Sequence, residues 1–206
     1  METVPIVDWS KCSRRYFDMD QSPFWRSLER LRASTRSHDE DAIEEILTEL
    51  DTSFDTIATW PQGFIEGLEK LLKDSLFLSL ANSWKLLYFI NNNWEQLSDA
   101  DRRRLKGSVI DTFDKHADWM GAFLSSEILG EHYPDDSTLS AFKRLAKTAT
   151  LPARELVPHG IEYLAKSTQD ESLRVKAVGE LRELKQSSSE AMRKEATISL
   201  QKLGCA

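Results

Sequence analysis

Cysteine is scarce in this chain: only Cys12 and Cys205, near opposite ends of 206 residues. No CxxC pair exists, so a cysteine-based zinc site is excluded. Two isolated cysteines without a secretory context read as free thiols in a reducing compartment rather than a disulfide framework. Glycine and proline are also few, at eight and six. That favours helix over an all-β fold rich in turns. No apolar run approaches the ~20 residues a membrane span requires. The opening Met1-Glu2-Thr3-Val4-Pro5 has neither a basic start nor an apolar run, so no secretory leader is expected and a cytoplasmic location is. There is no HExxH, no phosphate loop ending in GK[ST], no GxSxG and no GxGxxG. No cofactor and no catalytic residue is therefore expected.

Net basic charge is lacking too. The formal charge is −7 and the isoelectric point about 5.2. General binding to nucleic acid or to an anionic membrane needs a basic face, so neither is an expected partner. What is present is a 40% hydrophobic, 30% charged composition, that of a soluble globular protein. The length suits a single domain over 1–206.

Apolar residues recur with helical period along most of the chain. Residues 1–21 show no clear period and read as an irregular arm, with Val4, Ile6, Trp9, Tyr16 and Phe17 available to pack. Ser22-Pro23 then reads as a helix start, and 34–37 as its break. Ile43, Ile46, Leu47 and Leu50 stripe a helix over 39–50. Phe54, Ile57 and Trp60 form a short lead into a helix over 61–72. Residues 76–90 are apolar nearly all round, which predicts one central helix. Ser98 with Asp101 suggests a weak capping box at the head of a long helix carrying Leu105, Val109, Phe113 and Ala117 inward. Further helices are expected over 119–129, 137–148 and 152–167, and no strand anywhere.

The final third holds an internal repeat. Leu173, Arg174, Ala177, Leu181 and Leu184 recur as Met192, Arg193, Ala196, Leu200 and Leu203, each 19 residues on. The spacing i, i+4, i+8, i+11 places each set on one stripe, and a small Ala at its centre permits close approach. Ser188 or Ser189 can cap the second helix, and Gly204 suits its C-terminal turn. The pattern Asp170-x-x-Leu173-Arg174-x-x-Ala177-x-x-x-Leu181-x-x-Leu184 resembles a HEAT-repeat helix, as does its copy from Ser189. The resemblance is good over 152–203, weaker over 98–150 and poor before that. It implies an all-α, antiparallel helical stack of the HEAT-like α-solenoid type, with an irregular helical bundle as the alternative; the apolar periodicity along the whole chain counts about nine helices. Such stacks offer concave partner-binding surfaces.

Charge is segregated. The window 37–69 holds Asp39, Glu40, Asp41, Glu44, Glu45, Glu49, Asp51, Asp55, Glu66 and Glu69, with no Lys or Arg. Glu40 and Glu44 share a helix face, as do Asp41 and Glu45, both away from the apolar stripe. The bland explanation is a solvated face. A one-sign surface also steers a basic protein toward it, and all of these acids but Glu69 are candidate partner-binding residues. The expected function is an acidic, non-enzymatic interaction module, of immunity-protein or antitoxin type, that neutralises a basic toxin or effector. The alternatives are a HEAT-like DNA glycosylase, hinted at by Trp119 beside Asp118 and by the turn Arg102-Arg103-Arg104, and a regulatory or assembly subunit; that turn with Lys106 reads more simply as a solvent-facing helix turn able to pair with a neighbouring acidic helix. A polar cluster of His116, Asp118, Glu127, Glu131, His132, Asp135 and Asp136 could hold a divalent metal, but helix caps explain it more simply, and no metal is expected. His159, between Pro158 and Gly160, reads as a packed or capping histidine.

Overall fold

The computed structural model describes residues 23–54, 60–61 and 63–205. The expected arm over 1–21, the Ser22 cap, Ile57 and Asp55 lie outside the described residues. Among those described there are eleven α-helices and no strand. They are α1 (Pro23–Ser37), α2 (Glu40–Phe54), α3 (Phe64–Leu72), α4 (Ser75–Leu78), α5 (Trp84–Asn92) and α6 (Asp99–Thr112). Then follow α7 (Trp119–His132), α8 (Asp136–Thr148), α9 (Val157–Ser167), α10 (Glu171–Leu184) and α11 (Glu190–Lys202).

The helices form an all-α stack. Alternate helices α5, α7, α9 and α11 touch in sequence, and α8 and α10 both pack on α9. At the other end α2 rests on α1 and α5, and α3 on α1 and α6. The 19-residue repeat becomes α10 and α11, which pack on each other and on α9. Leu173, Ala177, Leu181, Met192, Ala196 and Leu200 are all buried. Asp170 caps α10 by accepting from the Ser172 N–H at 2.8 Å, and Ser189 caps α11 by accepting from the Met192 N–H at 3.3 Å.

Among the described residues, α7 and α9 share the most extensive helix contact, and they meet backbone to backbone. A Cβ built on Gly130 would lie 2.3 Å from the Gly160 carbonyl oxygen and 2.9 Å from the Leu164 nitrogen. Only glycine lets the two backbones meet there.

Buried carboxylates bind helices together. Glu162 on α9 is buried and meets Lys166 of its own helix and Lys202 of α11, the latter at 3.3 Å. Glu180 on α10 meets Lys143 of α8 at 2.7 Å. In each case the lysine stem reaches inward while its ammonium stays near water.

Eleven helices rather than about nine follow mainly from one break. Residues 76–90 are not one helix but α4, a 3₁₀ turn at Ala81–Ser83, and α5. At Leu80 the backbone leaves the helical region (φ −81°, ψ 140°) and the side chain is buried. Neighbours satisfy the freed backbone groups. Ala117 N–H donates to the Leu78 carbonyl at 2.9 Å, and Ala81 N–H donates to Glu40 Oε1 at 3.2 Å. The first helix also outlasts its expected break: Thr35 and Ser37 hydroxyls donate back to the Leu31 and Ala33 carbonyls, and the chain turns at His38 instead, where φ is 56°. The long helix from Ser98 ends at Thr112, five residues early. No helix among the described residues is long and apolar enough to cross a membrane.

Candidate functional site: an acidic groove between α2 and α5

Helix α2 starts because Asp39 accepts from the Ala42 N–H at 3.0 Å, with Glu40 and Asp41 at the positive end of the helix dipole. Ile43, Ile46, Leu47 and Leu50 are buried, which leaves the acids on the outer faces. Helix α5 lies beside it, with Leu86, Leu87, Phe89 and Ile90 buried and Tyr88 50% exposed.

Between them runs an open groove of about 340 Å³. Leu47 and Phe89 line its apolar part, Trp84 and Tyr88 supply aromatic rings, and Glu44 and Asp51 supply carboxylates. The two rings meet edge to face with centroids 6.5 Å apart. Lys85 pairs with Glu44 and its ammonium lies 5.6 Å from the Trp84 ring centre. Asn93 Nδ2 donates to Asp51 Oδ1 at 2.7 Å, which fixes the α2–α5 register at that end.

The acidic window divides into used and free acids. Glu49 pairs with Arg30 of α1 at 2.5 Å, and Glu66 pairs with Arg104 of α6 at 2.7 Å. Glu69 is buried and accepts from Lys73 at 2.6 Å, Ser108 at 2.8 Å and Arg104. Burial alone would raise its carboxyl, but hydrogen bonds from Lys73, Arg104 and Ser108 outweigh that and hold it at about 2. Asp39 and Glu40 serve as caps. Asp41 and Glu45 are exposed, i, i+4 on one face, with no ion pair among the described residues. Asp55 lies outside the described residues.

Among the described residues, cations from outside the window pair with it: Arg30, Lys73, Lys85 and Arg104. The basic turn is spent accordingly. Arg102 donates to the Trp94 and Glu95 carbonyls at 3.2 and 3.1 Å, and Lys106 donates to Asp135 and Ser137; Arg103 is exposed.

The polar cluster over 116–136 is dispersed by the fold. His116 Nδ1 lies 3.0 Å from the Ser83 hydroxyl. Asp118 caps α7 by accepting from Met120 N–H, and Asp135 caps α8 by accepting from Thr138 N–H. His132 stacks on Trp94 with centroids 4.0 Å apart and bonds Asn91 at 2.8 Å. Asp136 pairs with Lys176, Glu127 with His159 at 3.4 Å, and Glu131 is exposed. Burial pushes His116 and His132 down to about 4. Among the described residues no three of His, Cys, Asp and Glu converge on a metal-sized point. His159 is buried and stacked on Phe123, with ring centres 4.5 Å apart.

No family model matches the chain, and no curated protein or solved structure matches it significantly. The site therefore stands on its own geometry. Trp84, Lys85 and Tyr88 are the residues that the acidic window alone did not indicate. Trp84 and Tyr88 share a face at i, i+4, but in a segment apolar on every side that spacing does not distinguish an outward ring from an inward one.

Proposed function

We propose that the chain is a cytoplasmic, non-enzymatic interaction module that binds a protein with a basic surface through the α2–α5 face. The observation that carries this is the combination of exposed, ion-pair-free Asp41 and Glu45 with an adjacent aromatic groove edged by Glu44 and Asp51. Carboxylates steer a basic partner to the face, and partly exposed rings supply the apolar contact area that charge alone lacks. An inhibitor of immunity or antitoxin type fits this arrangement: an acidic helix can cover the basic cleft of a toxin or effector that acts on nucleic acid.

The test uses tagged full-length chain in a pull-down from its native host at 50 and 500 mM salt. A dominant basic partner, depleted at high salt and lost from Asp41→Lys/Glu45→Lys, is the expected result. These positions hold no ion pair among the described residues, and reversing Asp41 in the first turn of α2 costs only ~0.3–1 kcal/mol, so circular dichroism of the double variant should match wild type. A partner retained by the double variant at both salt concentrations refutes the electrostatic face.

A further inference from the structure

We propose that the α2–α5 groove is a seat for an arginine side chain of a basic polypeptide, and that Lys85 is the resident cation this arginine displaces. The inference rests on the reading above and names the chemistry of its central contact.

Lys85 already shows that the groove takes a cation. Its ammonium pairs with Glu44 and lies over Trp84, and its side chain is only 20% exposed. The seat is nevertheless incompletely filled. About 340 Å³ stays open with Lys85 in place, inside the ~300–1,000 Å³ range of small-ligand sites. Tyr88 remains half exposed. Asp51 Oδ1 is held by Asn93 at 2.7 Å, but its second oxygen meets only Asn92, at 3.5 Å, and so keeps acceptor capacity.

Arginine fits what is left better than lysine does. A guanidinium is flat, so it stacks on a ring while its edge donates two parallel bonds to a carboxylate. An ammonium is a point charge that can satisfy Glu44 but cannot also cover Tyr88. Glu44 and Asp51 are seven residues apart on α2, which places them roughly 10 Å apart along the axis. One arginine therefore engages one carboxylate and the Tyr88 ring, and the second carboxylate is left for a neighbouring basic residue. Displaced Lys85 moves to solvent on its flexible stem, and its loss of Glu44 weakens wild-type binding.

The probe is a nona-arginine peptide titrated into the ¹⁵N-labelled full chain at low salt, with nona-lysine and nona-citrulline peptides beside it. Expected are shifts at the Trp84 indole N–H and at α5 amides, tighter binding of arginine than of lysine, and none of citrulline. Lys85→Met removes the competitor, keeps the stem and tightens nona-arginine binding about fivefold, while Tyr88→Ala weakens it about fivefold, the size of one cation–π or ion-pair contact. Circular dichroism checks that both variants keep the wild-type fold. Salt-dependent binding with shifts confined to the Asp41/Glu45 face, and unchanged by Lys85→Met and Tyr88→Ala, overturns the arginine seat and leaves the acidic face standing. No binding of either cationic peptide at low salt overturns both.

Discussion

Replacing Gly130 with alanine tests whether α7 and α9 are locked at backbone distance. The added methyl would sit 2.3 Å from the Gly160 carbonyl oxygen and 2.7 Å from the Tyr163 Cβ. Neither is the loose end of a flexible side chain, so the helices themselves must separate by about an ångström. Overpacking of this kind costs about 1–3 kcal/mol or more, against a helix-propensity gain of ~1 kcal/mol for Gly→Ala. Backbone on both sides puts this case at the upper end, a net loss of about 2 kcal/mol. For a chain of this length that lowers Tm by about 4–8 °C. Gly107 is the internal control. It is an exposed residue of α6 with nothing within 4 Å of its built Cβ, so Gly107→Ala should gain stability and raise Tm by about 2–4 °C. Thermal melts followed by circular dichroism at 222 nm read both. A Gly130→Ala melt equal to wild type would show that the helix spacing is soft and the argument from close approach wrong; a Gly107→Ala melt below wild type would instead refute the propensity argument.

Two further predictions concern titration. Glu69→Gln should destabilise by on the order of 2–3 kcal/mol at neutral pH, because the native carboxyl is held far below its unfolded value. That contribution is present above pH ~4.5 and disappears as pH falls toward 2, so urea midpoints of variant and wild type should converge on acidification; a constant gap refutes the assignment. His116 and His132 are held neutral by burial down to pH about 4. The unfolded chain protonates them near pH 6.5, so stability should fall as pH drops from 6.5 to 4, by up to about 3 kcal/mol per histidine. A flat urea midpoint between pH 7 and 5, above the carboxylate window, contradicts this.

Much of the helical pattern was legible. The stripes of α2, α10 and α11 were set by 3.6-residue spacing, and every predicted inward residue of α2 is buried. The break inside 76–90 was not legible, because a segment buried on most sides has no polar face whose loss of phase would reveal it. Its freed backbone groups are satisfied by Glu40 and Ala117, partners that only the tertiary fold brings near. The same limit governs the acidic window. Its sign was readable, and so was the basic turn that supplies Arg104 to Glu66 and Glu69, but its neutralisation by Arg30 and Lys85 was not, since nothing in the sequence brings those cations to it. The polar run over 116–136 shows the converse. Proximity along a helical chain scatters side chains around the axis, so six of the seven neighbours became caps, a stack and separate pairs, and Glu131 is exposed.

The Glu162 contact bears on the order in which the chain is made. Helix α9 leaves the ribosome before α10 and well before Lys202 of α11. Before α11 is made, Glu162 lacks Lys202 and has Lys166 as its remaining ion-pair partner among the described residues. A chain truncated before α11 would also lose the buried Met192, Ala196 and Leu200 that α11 packs inward, so the carboxylate and the apolar contacts of that corner depend on the same helix.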